Sequence, residues 1–245
     1  VKTTRHAQTS TAPTRRTLLR ASAATAAGGV LVAGASPVGA VTRTRAVPST
    51  RPGTPAAALA ALSTGNRRWR TFHQQHPHES SSVRHSLVSG QTPFALILGC
   101  IDSRVPPELV FDQGLGDLMT VRSAGEVLDE AVLGSIAYGV LELGIPLVVV
   151  LGHQACGAVA AAVHAEETGE HLPAHIQYVA DQIKPAIVHS QHGDARVDAT
   201  VSAQVRLVRS RLARERDLAA KVAAGELEIV GARYELSTQL VHRIS

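Results

Sequence analysis

Three short apolar runs constrain this chain most: residues 94–98 (Phe-Ala-Leu-Ile-Leu), 118–121 (Leu-Met-Thr-Val) and 147–151 (Leu-Val-Val-Val-Leu). Runs of this length without strict alternation suit strands buried on both faces, the mark of a parallel sheet covered by helices. Between the second and third, Val132, Leu133, Ile136, Ala137, Val140 and Leu141 recur at helical spacing up to Gly144, which completes a β-α-β unit. Val197, Val201, Val205, Val208 and Leu212 recur every three or four residues and predict a long amphipathic helix, and residues 227–230 are a final strand candidate. Ahead of the first run, Leu59, Leu62 and Trp69 predict a leading helix over 55–70, broken at Gly65, with Trp69 an apolar anchor docked on the core. The fold class expected is α/β: a mainly parallel β-sheet flanked by helices, with an N-terminal helical arm. Ligands are then expected at the carboxyl edge of the strands. A polar stretch runs to Gly90; its His73, His76 and His78 read as solvated side chains in preference to a metal-delivery or proton-relay tract.

Charge decides which partners are excluded. The chain is 245 residues with a formal net charge of +4, which invites a nucleic-acid reading. Five of its 24 basic residues and none of its 20 acidic ones fall in residues 1–40, so the rest is nearly neutral, 19 against 20. An aromatic share of 3% leaves no stacking platform for single strands either. A small uncharged substrate fits the body better than nucleic acid.

The basic segment has the layout of an export signal. Thr-Arg-Arg-Thr-Leu-Leu-Arg at 14–20 precedes a weakly apolar run over 21–35, and Val38-Gly39-Ala40 supplies small residues for cleavage. The paired Arg15 and Arg16 resemble a twin-arginine signal, read by a pathway that carries folded proteins. Gly28 and Gly29 make the run a poor membrane span. The organisation expected is a signal peptide over 1–40, a flexible Pro/Ser/Thr linker over 41–54 and a single domain over 55–245. That predicts an exported protein, periplasmic or extracellular, with no stable membrane span after cleavage.

Both cysteines sit just after strands. Cys100 follows the first run through Gly99, and His153 and Cys156 follow the third through Gly152. In an exported chain two cysteines could simply form one disulfide. The His-x-x-Cys spacing and the Gly-ended strands favour a metal instead, because two thiolates and one imidazole suit Zn²⁺ and leave a fourth tetrahedral position open. Export in the folded state would allow zinc to be loaded in a reducing compartment. Cys156-Gly157-Ala158 opens the next predicted helix, whose dipole would help to keep that sulfur ionised. Asp102 and Arg104 stand beside the first cysteine. Alone, an Asp-x-Arg pair reads as an ordinary surface ion pair; next to a metal ligand, the paired hydrogen bond would hold the carboxylate off the metal and aim it at bound water.

The segments Cys100-Ile-Asp-Ser-Arg-Val-Pro-Pro-Glu108 and Gly152-His-Gln-Ala-Cys-Gly-Ala158 resemble the two signature motifs of the β-class carbonic anhydrases. The likeness runs from Leu59-x-x-Leu-x-x-Gly-Asn66 through Val121-Arg-Ser-Ala-Gly125 to Val230-Gly-Ala-Arg-Tyr234, nearly the whole of the expected domain. It implies one Zn²⁺ per chain on Cys100, His153 and Cys156, and an Asp102–Arg104 dyad that frees the fourth position, with Asp102 itself a ligand only in a closed state. It further implies Gln91 as the substrate-side amide and Gly157 as a backbone donor, with Met119, Ala124 and Tyr138 lining a narrow apolar pocket. The activity implied is reversible hydration of CO₂ to bicarbonate and a proton, in a homodimer or dimer of dimers whose leading helix packs on a neighbouring subunit. The same site could instead hydrolyse carbonyl sulfide or carbon disulfide, or the chain could be a non-catalytic exported zinc-binding protein. Three positions depart from the common pattern. Ile101 is expected to alter packing of the ligand loop, and Ser123 and Glu126 stand where Asn is frequent, Glu126 being expected to add a negative charge near the cleft.

Overall fold

The computed structural model describes residues 51–245; the expected signal and the linker up to residue 50 lie outside them. Five strands, β1 (Ala95–Gly99), β2 (Leu118–Arg122), β3 (Leu147–His153), β4 (Glu228–Tyr234) and β5 (Val241–Ile244), form one sheet in the order β2-β1-β3-β4-β5. The first four pair in parallel and β5 runs antiparallel along β4.

Alternate residues of the central strands enter two different cores, as the two-residue period of a strand requires. Leu96, Leu98, Val148 and Val150 face one core, closed by α4 (Glu130–Ala137), α7 (Gly193–Leu212) and α8 (Arg216–Ala223). Ala95, Ile97, Leu147, Val149 and Leu151 face the other, beneath α1 (Pro55–Arg70) and α3 (Pro107–Val110). Two short helices, α2 (Ser81–Ser86) and α6 (Ile176–Ile183), and α5 (Gly157–Thr168) complete the set. Among the described residues no helix is long and apolar enough to cross a membrane.

Three local expectations are corrected. The leading helix does not break at Gly65: α1 is continuous, because a Cβ there would stand 1.7 Å from the Phe111 carbonyl oxygen and only glycine lets the helix lie this close. β2 is half-buried, unlike the fully buried β1 and β3, because it is the sheet's edge. β5 has no apolar run to announce it. It is held by Asn66, 3% exposed, whose side chain donates to the carbonyls of Val110 at 3.1 Å and Gln239 at 2.9 Å and accepts the Val241 N–H at 2.9 Å.

α1 packs against the sheet of its own chain, with Ala58 and Leu62 buried and Trp69 Nε1 donating to the Tyr234 hydroxyl at 3.0 Å. The segment behind it is less solvated than its composition implies. His78 Nδ1 lies 2.7 Å from Oδ2 of Asp117, a buried carboxylate that also accepts the Gly114 N–H. Buried Asp112 accepts from Arg68 and from the backbone N–H groups of Gln75 and His76. Two carboxylates thus pin the histidine segment, and of its rings it is His78 that a buried group engages.

Candidate metal centre

Strand register brings the two cysteine segments together. Gly99 ends β1 opposite Leu151 of β3, so Cys100 leaves the sheet one step later, beside Gly152-His153. Cys156 then caps α5, whose N-terminus turns back towards the same edge. One ligand atom from each of Cys100, His153 and Cys156 can be chosen so that all lie within 4.8 Å of one another, and all three residues are buried.

The geometry distinguishes the two sequence readings of the cysteines. Their sulfurs stand 3.9 Å apart, nearly twice the roughly 2.05 Å of a disulfide. Two ligands on tetrahedral zinc at about 2.3 Å would be separated by roughly 3.8 Å. His153 Nδ1 lies 2.9 Å from the carbonyl of Gln154, which can only accept, so the neutral ring carries its proton on Nδ1. Nε2 is left as a lone pair, buried and without a hydrogen-bond partner. A buried acceptor in that position is costly unless something electrophilic meets it. Donor set, spacing and orphaned nitrogen therefore fit a zinc ion.

The two sulfurs have opposite proton affinities. The Cys156 thiol donates to Cys100 and, with the N–H groups of Gly125 and Asp102, brings Cys100 well down against the cost of burial. Cys156 is pushed up for the complementary reason, donation to Cys100, and by burial. This differs from the expectation that the α5 dipole keeps Cys156 ionised. Two anions 3.9 Å apart repel, so the pair holds one proton between them until a cation balances both.

Asp102 is gripped from two sides. Arg104 Nε donates to Oδ1 at 2.9 Å and Nη2 to Oδ2 at 2.7 Å, while the Arg104 backbone N–H also reaches Oδ1. These bonds hold the carboxyl at about 2. Sequence reasoning missed Arg122: its Nε donates to the Cys100 carbonyl at 2.8 Å and its Nη2 to the Asp102 carbonyl at 2.6 Å, so the ligand loop is tied to β2. The only signal was its place in a quoted motif.

Around these groups lies a cleft of about 650 Å³, lined by Cys100, Asp102, Ala124 and Gly157 on one side and by Ile176 and Val179 of α6 on the other. Met119 and Tyr138 open into a different hollow, outside β2. Gln91 is exposed and lines neither. Of the five residues that the resemblance implies for substrate, one chain brings Ala124 and Gly157 to the metal cleft. Ile101 is 61% exposed on the cleft wall and does not crowd the loop. Ser123 Oγ closes a turn by donating to the Val127 carbonyl at 2.7 Å. Glu126 differs from its expectation: it is 2% exposed and does not line the cleft, and burial, with the charge of Cys100 beside it, pushes its carboxyl well above the ordinary range.

Comparison with known proteins agrees with this site. The sequence model of a family described as carbonic anhydrase matches residues 95–241. The chain belongs to the β-class carbonic anhydrase family. It is 44% identical to carbonic anhydrase 2 of Mycobacterium tuberculosis over 74% of this chain and 89% of that one. A carbonic anhydrase of Mycolicibacterium smegmatis is 42% identical over 75% and 90%. The fold resembles that of the β-carbonic anhydrase CcaA, with a TM-score of 0.63 at 21% identity over 76% of this chain and 95% of that one. It also resembles a tetrameric β-carbonic anhydrase of Sordaria macrospora, with a TM-score of 0.62 at 22% identity over 76% and 96%. The chain is thus a carbonic anhydrase in the sense in which its curated relatives are named.

Proposed function

We propose that the chain binds one Zn²⁺ through Cys100, His153 and Cys156 and catalyses the reversible hydration of CO₂ to bicarbonate and a proton. The observation that carries this reading is the buried Cys-His-Cys cluster, which meets an apolar cleft at Cys100, with an ionised, immobilised Asp102 at its rim. When bound there, zinc would supply the Lewis acidity that lowers the pKa of water from about 15.7 towards 7 and makes a nucleophile available at neutral pH. Asp102 accepts a hydrogen bond from that nucleophile and orients it. Arg104 keeps the carboxylate from turning inward, and because it also donates to the Ala155 carbonyl at 3.2 Å it couples the two ligand loops. The Gly157 N–H, at the positive end of α5, stabilises negative charge developing on the substrate oxygens.

The working unit is proposed to be at least a dimer, with Gln91, Met119 and Tyr138 of a neighbouring subunit completing the substrate pocket. In support, a cleft of about 650 Å³ is wide for a three-atom substrate, and Tyr138 is 53% exposed. Residues 1–40 are proposed to direct export through a twin-arginine-type route and to be removed, leaving the linker and the 55–245 domain. The decisive experiment measures zinc content and CO₂ hydration on the mature chain, with light scattering on the same sample. One zinc per chain with rapid hydration in a dimer or larger assembly is expected. Zinc uptake with turnover of carbonyl sulfide but not CO₂ would overturn the substrate, and a fully active monomer would overturn the shared pocket.

A further inference from the structure

The turn after β2 donates to a ligand sulfur, and a residue far along the chain holds that turn. Gly125 N–H points at Cys100 Sγ, 3.4 Å away. Gly125 adopts φ +61°, where a side chain is strained, and a Cβ there would stand 2.7 Å from the tip of the Ile183 side chain, which would have to turn aside. Glu126 follows at φ +55°, a conformation that side chains of its type rarely adopt. Within the turn, the Ser123 N–H reaches the Gly99 carbonyl and the Glu126 N–H the Ser123 carbonyl. Among the described residues, the side-chain hydrogen bond that reaches it from a helix comes from Gln204.

Gln204 lies within α7, 1% exposed. Its Nε2 donates to the Gly125 carbonyl at 3.0 Å across 79 residues of sequence. A carbonyl only accepts, so the amide is oriented with its nitrogen towards the turn. Gly125 is thereby held at both ends, its carbonyl by Gln204 and its N–H by the sulfur. We infer that Gln204 is a positioning residue of the metal centre: it fixes the strained turn so that the Gly125 N–H stays on Cys100 and holds the direction of that sulfur. The inference rests on the zinc reading proposed above. An N–H···S bond fixes the direction of the sulfur and the rotamer of Cys100, so its loss loosens the first ligand of the cluster.

The test compares Gln204→Met, which keeps length and volume without a donor, with Val208→Ala, a cavity in the same helix within the core that holds Leu96 and Val150. Zinc affinity is measured by competition with a chromophoric chelator, and the thiolate-to-metal band is recorded after cobalt substitution. Gln204→Met is expected to bind zinc about tenfold more weakly and to shift the cobalt band, as removal of a partner behind a ligand commonly does. Val208→Ala is expected to melt earlier with both readouts unchanged. Parental affinity and band in Gln204→Met would overturn the inference while leaving the zinc site standing, and so would an equal change in Val208→Ala. A parent chain that takes up no zinc would overturn both.

Discussion

Arg104 holds Asp102 at both carboxylate oxygens while its Nη2 also reaches the carbonyl of Ala155, so one guanidinium ties the carboxylate to the loop that carries the second cysteine. Asp102 Oδ2 already lies 3.9 Å from His153 Nε2. In Arg104→Ala the carboxylate should turn inward and close the fourth coordination position. Zinc should be retained and CO₂ hydration should fall at least about tenfold. Asp102→Ala should also lose activity but leave the position open. Cobalt-substituted protein separates the two: the spectrum of Arg104→Ala should hardly respond to added anions, and that of Asp102→Ala should respond.

Cys156→Ser replaces one of the two sulfurs of the cluster by a hydroxyl. A serine hydroxyl does not ionise at neutral pH, so most of the zinc and all detectable hydration should disappear. Metal analysis on the purified variant decides the matter: one zinc per chain with parental turnover would contradict the assignment of Cys156 as a ligand.

Asp112 should give the fold an acid limit. Burial opposes its ionisation, but Arg68 and the N–H groups of Gln75 and His76 outweigh this and leave its pKa below the ordinary 3.8. A depressed carboxyl contributes stability that is complete above its unfolded value and is lost as pH falls through the folded one. Asp112→Asn should therefore be less stable than the parent by a constant amount above about pH 5, with the gap narrowing below pH 4. Melting temperatures measured between pH 2.5 and 7 test this; a gap that widened towards acid would contradict it.

Asn66→Ala would leave the Val110 and Gln239 carbonyls and the Val241 N–H without their partner. Unpaired buried groups cost about 1–3 kcal/mol each where water cannot reach them, so a loss of about 2–4 kcal/mol is expected from urea unfolding. Asn66 does not line the metal cleft, so zinc content and turnover below the transition should match the parent.

Local features were legible from the order of residues alone. Apolar runs at 94–98 and 147–151 read as strands because burial on both faces demands consecutive apolar residues. The meeting of Cys100, His153 and Cys156 followed from where those strands end, and the Asp102–Arg104 pair was legible because two residues suffice to close it. The Cys156–Gly157 boundary was readable as a helix start for the same reason. Whatever depends on approach between distant segments emerged only with the fold. Gly65 reads as a helix breaker until the Phe111 backbone is seen against it, and Glu126 reads as a cleft residue until its burial is known. β5 needs Asn66, 175 residues away from Val241, to hold it. Gln204 and Arg122 carry no spacing signal, since their partners lie 79 and 22 residues away. The distribution of Met119 and Tyr138 away from the cleft that holds Ala124 and Gly157 was equally hidden, because hydrophobic periodicity records that a side chain is to be buried and not which surface will bury it.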